Sequence, residues 1–119
     1  MSEVKELNDL TELESLWQAS HEKPVLFFKH STSCPISTRA YQQFQQYLED
    51  DASQQAQNAL IIVQTARALS NRLAELANVK HESPQAILVH NGQAVWHDSH
   101  FELKKQTLAS AVAGTVAER

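Results

Sequence analysis

Two short, uninterrupted apolar runs, Val25-Leu26-Phe27-Phe28 and Leu60-Ile61-Ile62-Val63, constrain this chain more than any other feature. Each is rich in β-branched or aromatic residues and shows no polar alternation. Such a segment must be covered on both faces, which is how strands inside a parallel sheet read. Between the two runs, Ile36, Ala40, Phe44, Tyr47 and Leu48 recur at helical spacing from Pro35 to about Asp50, with glutamines on the opposite face. A strand, a crossover helix and a second, parallel strand follow from that order.

The remaining segments extend the pattern. Thr11-Glu12-Leu13-Glu14 has capping-box form, and Leu10, Leu13, Leu16 and Trp17 mark a first helix reaching about His21. Leu69, Leu73, Leu76 and Ala77 carry a helix that ends near Asn78. Ala86–Val89 and Ala94–Trp96 flank Asn91-Gly92, the strongest short hairpin signal, so these strands should be antiparallel neighbours. A closing helix runs from Leu103 to Val116 with Leu103, Leu108, Ala111 and Val112 buried. The chain of 119 residues fits a single domain, 1–119.

No apolar run approaches the ~20 residues of a membrane span, and Met1-Ser2-Glu3-Val4-Lys5-Glu6 carries no hydrophobic signal region. The expectation is a cytoplasmic protein, with no membrane partner. A net charge of −4 and the lack of a dense Lys/Arg cluster exclude a nucleic-acid partner. His97, Asp98 and His100 resemble half of a metal site with no matching second half, so no metal is expected.

The chemistry converges on Cys34, the chain's one cysteine. It follows the first core strand and precedes Pro35, and proline is favoured at the first helical position. Cys34 is thus expected at an N-cap, its sulfur accepting from the amides of Ile36 and Ser37, with the Ser37 hydroxyl as a further donor. Thiolates are the reactive form, and a helix N-terminus stabilises them. Pro35 and Ser37 are accordingly expected to belong with Cys34 to the catalytic set.

The element order resembles the thioredoxin fold: an α/β domain with a central mixed four-stranded sheet, flanking helices and an extra N-terminal helix. In that fold a cis-proline faces the active sulfur, and Ser83-Pro84, just before the hairpin, occupies its place. The resemblance implies that Ser83 offers its backbone to the partner segment. Ser33 and Ile36 beside the sulfur, with His30 and His81, are the other candidates for contacting a bound partner. The second cysteine of the thioredoxin dithiol is Ser37 here, so the expected chemistry is monothiol. The buried carboxylate six positions before the cysteine is replaced by Phe28, which leaves activation to the helix terminus, with Lys29 or His30 as possible helpers.

Phe28-Lys29-His30-Ser31-Thr32-Ser33-Cys34-Pro35-Ile36-Ser37, Val79-Lys80-His81-Glu82-Ser83-Pro84-Gln85, and Val95-Trp96 followed by Ser99-His100 resemble the monothiol bacilliredoxins of the YtxJ type, bacilliredoxin C. That resemblance implies a thiol-disulfide oxidoreductase that removes bacillithiol from S-bacillithiolated proteins. Bacillithiol would be the co-substrate, and no tightly bound cofactor is implied. The expected state is monomeric. Two alternatives stay open: an iron-sulfur cluster carrier of the monothiol glutaredoxin kind, and a thiol peroxidase. The first differs in reading Cys-Gly-Phe-Ser where this chain has Cys-Pro-Ile-Ser. The second requires a proline where Phe27 stands.

Overall fold

The computed structural model describes residues 2–117; Met1, Glu118 and Arg119, at the ends of the expected domain, lie outside the described residues. Five strands, β1 (Lys5–Glu6), β2 (Val25–His30), β3 (Gln57–Ile62), β4 (Gln85–His90) and β5 (Gln93–Ser99), form one sheet in the order β1-β3-β2-β4-β5. Four helices, α1 (Leu10–Ala19), α2 (Pro35–Leu48), α3 (Arg67–Ala77) and α4 (Lys105–Ala117), cover its two faces. β2 pairs parallel with β3 and antiparallel with β4, so the two apolar runs lie side by side at the centre. The sheet has one strand more than the expected four. Lys5 and Glu6 pair in parallel with Ala59 and Leu60, and neither is buried.

Strand alternation on β2 decides which helices it serves. Leu26 and Phe28 pack with Phe44, Leu48, Leu108 and Val112 of α2 and α4. Val25 and Phe27 pack with Leu13, Trp17, Leu69 and Leu73 of α1 and α3. Full burial of a Phe or Leu side chain is worth roughly 1.5–3 kcal/mol, and all six β2 side chains are buried.

The local signals resolve with shifts at α1 and α4: α4 starts at Lys105, two residues after the expected Leu103, and Ala111 is half-buried where burial was expected. The α1 cap is Asp9, two residues before the expected Thr11: its carboxylate accepts from the Glu12 N–H at 2.9 Å, and Glu12 accepts from the Asn8 N–H at 2.8 Å. Glu12 thus reaches back to the residue before the cap and not to the cap's own N–H, so only half of a capping box forms. Asn91 (φ 56°) and Gly92 (φ 74°) both take positive φ in the β4–β5 turn, as a primed two-residue turn requires. α3 ends on Asn78 in the left-handed conformation.

Candidate active site

Cys34 is the N-cap of α2, with extended backbone (φ −108°, ψ 123°), and Pro35 begins the helix. The helix starts there because Pro35 needs no donor partner and the Cys34 carbonyl accepts the Thr38 N–H at 3.0 Å. Cys34 is half-buried. Its sulfur does not cap the first-turn amides, in contrast to the expectation from sequence. Support from the helix is therefore that of its dipole and of donors not taken by a side-chain cap.

Ser37 is fully buried, and its hydroxyl also departs from expectation. Instead of serving the sulfur, Ser37 Oγ accepts the Ser31 N–H at 2.8 Å and meets His30 Nδ1 at 2.8 Å. His30 in turn stacks on Tyr41, ring centroids 4.6 Å apart and 15° between planes. Burial holds the His30 imidazole below its usual value, with hydrogen bonding to Ser37 opposing. A neutral His30 with a bare Nδ1 accepts a hydrogen bond from the Ser37 O–H; one donating from Nδ1 leaves that O–H free to donate elsewhere. His30 and Ser37 thus form a coupled pair behind the first turn of α2.

The loop before the cysteine is clamped by Gln64, just past β3. Its Nε2 donates to Ser31 Oγ (2.7 Å) and Ser33 Oγ (3.1 Å), and its Oε1 accepts the Thr32 N–H (3.2 Å). Gln64 was not among the residues singled out from sequence. The available signal was topological: parallel neighbours β2 and β3 send their following loops out at the same edge, so the residue after β3 meets the one after β2.

Phe28, where the thioredoxin carboxylate would stand, fills its place by stacking on Phe44 at 4.5 Å. The buried ionisable groups lie one and two residues further on. Lys29, completely buried, projects to the face opposite His30 and donates to Ser70 O and His81 Nδ1, both at 3.0 Å. Burial brings the Lys29 ammonium down to about 8. His81 also meets Ser70 Oγ at 3.1 Å. Burial first, and then the charges of Lys29 and Arg67, hold His81 below its ordinary value, against Glu82. His81 Nδ1 therefore acts as an acceptor, and this side chain anchors its loop to β2 and α3.

That loop ends in a cis Ser83–Pro84 peptide, the conformation expected from sequence. Ser83 Oγ is buried without a hydrogen-bond partner among the described residues. The Pro84 carbonyl accepts the His100 N–H at 3.1 Å. Ile36 is half-buried and borders a groove shared with His100. Among the described residues, no group of three or more His, Cys, Asp or Glu could hold a metal ion, and no helix is long and apolar enough to cross a membrane.

A thioredoxin sheet, one cysteine at the start of α2, a buried serine three residues on and a cis-proline before β4 define a thiol-disulfide oxidoreductase of the monothiol class. Residues 5–108 match the family of the monothiol bacilliredoxin BrxC, and the chain belongs to that family. It is similar to a solved structure described as a candidate oxidoreductase with a thioredoxin fold: 38% identity over 91% of this chain and 92% of that one, TM-score 0.77. The thioredoxin of Malassezia sympodialis shares the fold at 12% identity, covering 96% and 91% of the two chains, TM-score 0.77. A mutant thioredoxin from Halobacterium salinarum does so at 19% identity, covering 96% and 93%, TM-score 0.71.

Proposed function

We propose that the protein removes bacillithiol from S-bacillithiolated proteins in the cytoplasm. The observation that carries this reading is the pairing of one half-buried cysteine at the start of α2 with a buried, hydrogen-bonded serine at the resolving position. The Cys34 thiolate attacks the bacillithiol sulfur of the mixed disulfide. A Cys34–bacillithiol bond forms, the original S–S bond breaks, and the substrate protein leaves as its thiolate. Ser37 cannot expel the adduct, so a second bacillithiol thiolate attacks it, releasing the symmetric disulfide and restoring Cys34. Membership of the bacilliredoxin family supports bacillithiol as the thiol.

The test is whole-protein mass after wild type and Cys34→Ser are exposed to a protein–bacillithiol mixed disulfide, with the glutathione counterpart in parallel. An adduct of bacillithiol mass on wild type alone, with substrate thiol released, is expected. No adduct from either disulfide would remove the oxidoreductase reading.

A further inference from the structure

The first turns of α2, from Ile36 two residues after Cys34, and the 100–104 segment border a groove of about 370 Å³. Ile36, Arg39 and Gln43 line one side; His100, Phe101 and Lys104 line the other. Three features of it are unlike the rest of the surface. The first is charge. The chain is acidic overall, at −4, yet the groove is lined by Arg39 and Lys104 and by no carboxylate. Arg39 is also the one charged residue in the 14 residues of α2.

The second feature is position. Ile36 lies two residues beyond Cys34, and the His100 N–H donates to the Pro84 carbonyl at 3.1 Å, so the far wall is tied to the cis-proline loop. One wall of the groove thus belongs to the helix that Cys34 caps, and the other is hydrogen-bonded to the cis-proline. His100 takes φ +56°, a conformation uncommon for a residue other than glycine. Glu82, outside the groove lining, has a carboxylate oxygen 3.8 Å from His100 Nε2. The third feature is Phe101, 63% exposed, beside the cations. An exposed ring offers a flat face to aliphatic or sugar C–H groups. Gln43 Oε1 accepts the Lys105 N–H at 2.9 Å, fixing the start of α4 against α2 and the groove's width with it.

We infer that this groove seats the carboxylate-bearing portion of the low-molecular-weight thiol exchanged at Cys34, with Arg39 and Lys104 as its cationic partners. The inference rests on the oxidoreductase reading above and adds a ligand subsite to it. The exchange balances without an outside oxidant: the Cys34 thiolate attacks RS–SR, the Cys34–SR bond forms, the S–S bond breaks, and RS⁻ leaves with the electron pair. The groove holds the R group that stays. Arginine suits this role because its planar fork matches a carboxylate.

The experiment follows adduct formation on Cys34 by mass, using three symmetric disulfides of differing charge: dithiodipropionate (anionic), hydroxyethyl disulfide (neutral) and cystamine (cationic). Bacillithiol disulfide is run beside them. Proteins are wild type, Arg39→Gln, Arg39→Glu/Lys104→Glu, and a Lys23→Glu/Arg72→Glu control of equal net charge. Wild type should react fastest with the anionic probe. The Arg39/Lys104 reversal should slow that probe, and bacillithiol disulfide with it, by about tenfold relative to hydroxyethyl disulfide, with Arg39→Gln intermediate. The control should leave the ratio unchanged, and high salt should compress the wild-type preference. An anionic-to-neutral ratio unmoved by the reversal, or moved equally by the control, overturns the groove assignment while leaving the oxidoreductase reading intact. Failure of wild type with every disulfide overturns the reading itself.

Discussion

Lys29 Nζ and His81 Nδ1 stand 3.0 Å apart, and that contact couples the C-terminal end of β2 to the loop that ends in the cis Ser83–Pro84 peptide. A buried ammonium is thus part of the scaffold that positions the loop. Because burial lowers Lys29 from 10.5 to about 8, the folded state binds fewer protons than the unfolded chain between those values. Stability should therefore rise with pH across that window, by roughly 1–3 kcal/mol. Urea midpoints measured from about pH 8 to 9.5, below the range where the buried Tyr47 hydroxyl contributes, should climb more steeply for wild type than for Lys29→Met. Parallel slopes in the two proteins would sink the assignment.

His81 acts at the other end of the scale. Its folded value lies below the ordinary 6.5, so its contribution is complete above that value and lost as pH falls through the lowered one. A proton on Nδ1 would face the Lys29 ammonium. His81→Asn should flatten the stability decline between about pH 7 and 5 compared with wild type. It should not abolish the decline, because His30 is lowered by burial as well.

Ser37 offers a test of why the site stops at one thiol. In Ser37→Ala the Ser31 N–H and His30 lose a buried partner, a loss of about 1–3 kcal/mol that should appear in the denaturation midpoint. Ser37→Cys places a thiol at the resolving position. After reaction with a mixed disulfide it should carry an internal disulfide, where wild type keeps the adduct; mass spectrometry separates the two.

Ser83 Oγ is a buried hydroxyl with no partner among the described residues. Ser83→Ala should therefore leave stability unchanged or raise it, by up to about 1 kcal/mol. If the hydroxyl is held in reserve for a bound disulfide segment, the same variant should slow release of thiol from a mixed-disulfide protein. A stability loss above about 1 kcal/mol would show that the hydroxyl already has a structural role.

Much of this arrangement was legible in the sequence, and the parts that were not share a physical reason. β2, α2 and the Asn91-Gly92 turn are written in apolar runs, helical spacing and turn chemistry, which act over a few residues. β1 has no such code: Lys5 and Glu6 are exposed, and they form a strand because β3 presents an open edge. Cys34, Pro35 and Pro84 could be placed because their roles depend on element boundaries. The partners of Ser37 could not, since the turn that brings Ser31 and His30 onto its hydroxyl is set by how β2 meets α2. Lys29 meets residues 41 and 52 positions away, and Gln64 reaches across from the neighbouring strand's loop. Contacts of that range are decided by the whole sheet.

The buried serine three residues after Cys34 has a consequence at the level of the cell. A molecule that cannot resolve its own adduct hands control of the dwell time to its surroundings. Under the proposed exchange, the fraction of the population carrying an adduct at any moment would track the ratio of modified protein to free thiol outside. On the proposed exchange, each copy would act as a one-bit register of the ambient thiol pool, written by one encounter and erased by the next.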